Sequence, residues 1–81
     1  MYNMNKLEER IKELKGQILQ RLKGAEESIE SRDKEKALEL INVAQDLYEN
    51  YYKNAEENGF NIQNRINEVI SKYIKACSNK I

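Results

Sequence analysis

The chain contains no histidine. That removes the commonest general base, the commonest zinc ligand and every Ser-His or Cys-His nucleophile pair. A carboxylate di-iron site built on paired Glu-x-x-His motifs is excluded for the same reason. Cys77 is the only cysteine, so neither an intrachain disulfide framework nor a cysteine zinc cage can form, and redox chemistry leaves the reducing cytoplasm as the default compartment. Gly16, Gly24 and Gly59 stand too far apart to make a phosphate-cradling loop. No run approaches the roughly 18 consecutive apolar residues of a membrane span. The opening stretch Met1-Tyr2-Asn3-Met4-Asn5-Lys6 lacks the apolar core of a signal peptide. The carboxylate neighbours Glu8/Glu9, Glu26/Glu27 and Glu56/Glu57 point to different sides of a helix and make no acid/base dyad. The expectations are therefore no enzyme activity, no cofactor, no metal site, no membrane partner and a cytoplasmic location.

What is present is helix-forming. Proline is absent, strand-type alternation never persists, and helical spacing runs through almost all of the 81 residues. This length holds a single domain, 1–81. With 40% hydrophobic residues and a net charge of zero, the chain differs from disordered sequences, which combine strong net charge with few apolar residues.

The first helix is expected over about 5–30. Asn5 can cap it, with Glu8 reaching back as in a capping box. Leu7, Ile11, Leu14, Ile18, Leu22, Ala25 and Ile29 recur at steps of 4, 3, 4, 4, 3 and 4, which is one apolar stripe. Gly16 and Gly24 lie inside it, and a break, if there is one, falls at Gly24. Ser31-Arg32-Asp33 reads as a turn, with Asp33 capping a second helix over 34–57. Its stripe is Ala37, Ile41, Ala44, Tyr48, Tyr51 and Ala55, widened by Leu38, Leu40, Val43, Leu47 and Tyr52. That surplus suggests a homodimer. Asn58-Gly59 ends the helix, and Asn61 caps a third over 61–78, with Phe60 as a staple. Its stripe is Ile62, Ile66, Val69, Ile70, Tyr73, Ile74 and Cys77. Short loops between long helices predict an all-α, antiparallel, up-down-up three-helix bundle. The third helix is the shortest, so part of another is expected to overhang.

Charge is distributed unevenly. Residues 1–24 carry six basic against three acidic side chains, residues 25–57 four against ten, and residues 58–81 four against one. An acidic middle helix between two basic ones favours the intended pairing. The same pattern would give a bipolar surface if Lys12, Lys15, Arg65 and Lys72 formed one basic face able to meet a phosphate backbone. Aromatic platforms and helix-turn-helix spacing are missing from that face, which makes nucleic acid the lesser expectation.

Tyr48, Tyr51 and Tyr52 form an i, i+3, i+4 group. All three cannot face one core, and tyrosine is enriched at interfaces because its ring is apolar and its hydroxyl polar. With Lys53 they make the candidate partner-binding patch. Tyr52 is expected to be the exposed member, because Tyr48 and Tyr51 belong to the stripe. Cys77 is expected as a small, buried apolar residue.

The stretch Ala25-Glu-Glu-Ser-Ile-Glu-Ser-Arg-Asp33-Lys-Glu-Lys-Ala37-Leu-Glu-Leu-Ile41 sets small residues where two antiparallel helices approach. It resembles the helical hairpin of tetratricopeptide repeats and of MIT (microtubule interacting and transport) domains. The third helix, Arg65-Ile-Asn-Glu-Val-Ile-Ser-Lys-Tyr73-Ile-Lys-Ala76, is similar to the last MIT helix. The resemblance covers roughly 21–80 and implies docking of short helical peptides in an interhelical groove. Arg21 and Ser28 stand where tetratricopeptide repeats carry aromatics, and no second copy of the repeat exists. The sequence thus points to a small interaction module, an adaptor or inhibitor. A nucleic-acid-associated regulator and a self-associating structural protein are the alternatives.

Overall fold

The structure is a computed structural model, and it describes residues 4–53 and 60–78. The protein is an all-α, antiparallel three-helix bundle, with α1 at Met4–Glu30, α2 at Lys34–Leu47 continued by a π-helical turn at Tyr48–Tyr52, and α3 at Phe60–Ser78. Each helix packs against both others. α1 is unbroken through Gly16 and Gly24.

The hairpin turn explains itself residue by residue. Arg32 takes a left-handed backbone, φ 67°. Its N–H donates to the Ile29 carbonyl at 3.0 Å, and the Asp33 N–H donates to the Ser28 carbonyl at 2.8 Å. This is the Schellman pattern, which satisfies the last carbonyls of α1. Asp33 then starts α2, its carboxylate accepting from the Lys36 N–H at 3.2 Å. One three-residue turn closes one helix and caps the next, as the sequence predicts.

The expected caps of the other two helix starts differ. α1 begins at Met4 and α3 at Phe60, so Asn5 and Asn61 lie inside helices and not at the half-in flanking position that a cap requires. The expected end of the second helix, with Ala55 and the Gly59 stop, falls on 54–59 and lies outside the described residues.

The core runs along the helix seams. Ile18, Leu22 and Ala25 of α1 meet Ala37, Ile41 and Ala44 of α2 and Ile62, Ile66 and Val69 of α3, all buried. Alanines at 25, 37 and 44 let backbones approach closely. Of the apolar residues expected to be left over on α2, Leu40, Val43 and Leu47 are half-buried and Leu38 is exposed.

The tyrosines reverse the expectation. Tyr52 is 4% exposed, whereas Tyr51 is 64% exposed. The cause is the π-helical turn, in which the Lys53 N–H donates to the Tyr48 carbonyl at 2.7 Å, five residues back. A turn closed i→i+5 takes more residues to go round, so each residue advances the helix by a smaller angle. Counting on from Tyr48, it is Tyr52 that returns to the buried stripe, and Tyr51 is left on the outside. Tyr48 and Tyr52 pack on each other with ring centroids 6.1 Å apart at a tilt of 48°.

The helices are staggered. Glu26 of α1 reaches both Arg65 and Lys72 of α3, which run parallel to it. At 1.5 Å per residue this register starts α3 level with about the middle of α1, leaving roughly 20 Å of α1 without α3 beside it. The overhang expected from helix lengths is therefore the N-terminal half of α1.

Candidate functional site

The groove beside Tyr51 lies between that half of α1 and the end of α2. It has a volume of about 390 Å³ and is lined by Arg10, Glu13, Leu14, Gln17, Leu47 and Tyr51. Residues 10, 13, 14 and 17 share one flank of α1 because they recur at helical spacing. Half-buried Leu14 and Leu47 supply its apolar lining, exposed Tyr51 lines it beside them, and Arg10, Glu13 and Gln17 supply its polar groups. An exposed aromatic beside apolar and polar groups in one groove is the anatomy of a protein-docking anchor.

The sequence picked out four residues for this patch, and the structure divides them. Tyr51 is exposed in the groove, Tyr48 and Tyr52 belong to the core, and Lys53 is exposed and closes the π-helical turn through its backbone. Arg10, Glu13 and Gln17 were missed. Their signal was their spacing on a flank of α1, legible only once the neighbouring helix is known.

The four residues of the candidate basic face do not come together. Lys72 Nζ lies 2.8 Å from Glu26 Oε2. Arg65 lies 2.8 Å from Glu68 Oε1 and 4.0 Å from Glu26 Oε1. Both cations are thus held by carboxylates. Lys12 and Lys15 are exposed on the part of α1 that α3 does not reach, about 10–15 Å from Arg65 and more than about 20 Å from Lys72 along the bundle axis. The acidic partner of α3 is the end of α1, not α2. A segment count that grouped Glu26 with the second helix could not show that.

Near the end of α3, Cys77 is half-buried and not fully buried as expected, and it sits one turn beyond half-buried Tyr73. A hydrogen bond to the Cys77 side chain, then partial burial, then the charge of the cysteine as thiolate push the Tyr73 hydroxyl above its ordinary pKa of 10.0. Among the described residues no helix is long and apolar enough to cross a membrane, and no three acidic or cysteine side chains are grouped to hold a metal ion. Comparison with family models, characterised proteins and solved structures gives no match, so the functional reading rests on the site's own geometry.

Proposed function

We propose that this protein is a small, non-enzymatic interaction module of the cytoplasm, an adaptor or inhibitor, that docks a protein partner in the groove beside Tyr51. The observation that supports this reading is the exposure of Tyr51, 64%, in a chain whose other described core-stripe aromatics are buried or half-buried. A solvated tyrosine ring in a groove shared with Leu14 and Leu47 has apolar area to lose and a hydroxyl to keep wet, which suits a partner with an apolar anchor and a polar rim. The groove runs along two antiparallel helices, so an amphipathic helix is the partner element that fits its shape. Resemblance to MIT-like hairpins supports the same mode.

The test is affinity capture from the native host with wild type and Tyr51→Ala in parallel. A partner bound by wild type and lost from Tyr51→Ala, with the helical circular dichroism of the two proteins equal, supports the reading. Retention of the same partners by Tyr51→Ala overturns it.

A further inference from the structure

The turn that presents Tyr51 carries two helical registers in one sequence. Read at α spacing, the apolar stripe of α2 runs Ala37, Ile41, Ala44, Tyr48 and Tyr51. The structure runs it through Tyr52 instead, which is 4% exposed where Tyr51 is 64% exposed. Neither glycine nor proline stands in Tyr48-Glu-Asn-Tyr-Tyr-Lys53 to forbid α-geometry. The backbone on both sides of the turn is already α-helical, with φ −62° and ψ −42° at Leu47 and φ −54° and ψ −44° at Lys53. The registers differ in the carbonyl that the Lys53 N–H uses. It donates to Tyr48 at 2.7 Å, and in α-geometry it would donate to Glu49.

Angles say where the rings go. At about 100° per residue, Tyr51 lies about 60° behind the row of Tyr48 and Tyr52 about 40° ahead of it. When the turn closes one residue later, five residues share the roughly 400° that four cover in an α-helix, about 80° each. Tyr52 then lies about 40° behind the row and Tyr51 about 120° behind it. Behind is the side of α1. Leu40 and Leu47, each about 100° behind a buried residue, face that helix: a Cβ at Gly24 would meet Leu40 Cδ1 at 3.1 Å, and Leu47 shares the groove with Leu14. Ahead is the side of α3, which begins further along the bundle. The α-register therefore sets Tyr51 within about 20° of the place that Tyr52 fills in the π-register, and moves Tyr52 to the side that α3 leaves open. Both residues are tyrosine, so either register closes the seam to α1 with the same ring.

We propose that Tyr48–Tyr52 is a register switch. Its resting π-register buries Tyr52 and presents Tyr51; its minor α-register buries Tyr51 and turns Tyr52 out. The consequence rests on the docking reading above. In the α-register the groove loses its aromatic anchor while Arg10, Glu13, Leu14 and Gln17 stay in place, so a partner that holds the Tyr51 ring selects the π-register. Single π-helical turns within α-helices recur at functional sites, and this one decides whether the anchor is on the surface.

Tyr52→Ala is the variant that tests it, because it removes the ring that stabilises the π-register and keeps the ring that stabilises the α-register. Proton NMR of the full chain reads the outcome at Tyr48, which holds its place in both. In wild type the Tyr48 ring shows cross-relaxation with the Tyr52 ring, whose centroid is 6.1 Å away. In Tyr52→Ala it shows cross-relaxation with Tyr51. Urea unfolding gives an independent reading. Tyr51→Ala leaves the midpoint of wild type nearly unchanged and lowers that of Tyr52→Ala clearly, since Tyr51 fills the seam there. Additive losses overturn the switch, and so does a Tyr51 ring that stays out of contact with Tyr48 in Tyr52→Ala. A Tyr52→Ala chain that stays unfolded even in a stabilising osmolyte overturns it too, because a second register would have refilled the seam. No partner enters these measurements, so they fail independently of the affinity capture that tests docking.

Discussion

The two ends of this bundle solve packing differently. At the hairpin end, three helices lie side by side. The backbones approach over Ala25, Ala37 and Ala44, the turn satisfies its own carbonyls, and Glu26 ties α1 to α3. At the other end α3 is absent from the side of α1, and the seam is closed by tyrosines on a π-helical turn. Small residues let the first end close on backbone, whereas large rings fill the second. The difference teaches where exposure comes from. A helix turn widened to put Tyr52 into the core must turn Tyr51 out of it, so the exposed anchor is a consequence of how that seam is filled.

The largest test of this contrast is the tyrosine pair. Tyr52→Ala removes a buried ring and is expected to cost about 3–5 kcal/mol, whereas Tyr51→Ala stays within about 0.5 kcal/mol. Urea unfolding of both variants checks it, and equal losses would break the division of the two rings.

The next comparison uses one side-chain type at both ends. Leu22→Ala, in the three-helix layer, is expected to cost about 2–5 kcal/mol, and Leu14→Ala, half-buried at the two-helix end, less than half as much. Thermal midpoints rank them.

Glycines sharpen the contrast further. A Cβ at Gly16 meets nothing within 4 Å, whereas at Gly24 it meets Leu40 Cδ1 at 3.1 Å. Gly16→Ala therefore keeps the full helix-propensity gain of about 1 kcal/mol, which for a domain of this size raises the thermal midpoint by about 4–8 °C. Gly24→Ala gains less, because Leu40 must shift. A larger gain at Gly24 would show that the helices are not in close contact there.

Smaller still is the ion-pair cluster. Its side chains are partly exposed, so Glu26→Gln is expected to cost less than about 1 kcal/mol, with the difference shrinking as salt is added. The smallest effect is a titration. With its pKa raised in the folded state, Tyr73 contributes stability that is present below the unfolded value of 10.0 and lost as pH rises above it towards the folded value. Tyrosinate absorbance of wild type against Cys77→Ala is the measurement. The variant is expected to lose the late-titrating phenol, and identical curves would detach Tyr73 from Cys77.

Three helices, their order and most of their core were legible in the sequence. Helical periodicity is a local signal, and the stripes of Ile18, Leu22 and Ala25, of Ala37, Ile41 and Ala44, and of Ile62, Ile66 and Val69 depend only on 3.6 residues per turn. The Asp33 cap and the 31–33 turn are equally local. The exposed tyrosine was not legible, since extending the stripe assumed uniform α-geometry through Tyr48–Tyr52, and the π-helical turn breaks that assumption. Nor could the sequence foresee Glu26 holding Lys72, because the two stand 46 residues apart and meet only through the register of α1 on α3.

Sequence by itself determined the secondary structure and which face of each helix is apolar, since both follow from backbone geometry and solvation over one or two turns. Tertiary structure alone decided the stagger of α3, the rotation that exchanges Tyr51 for Tyr52, and the pairing that uses up Arg65 and Lys72. Each of these depends on where a second helix lies, and that is set by how all three apolar faces fill a common volume at once.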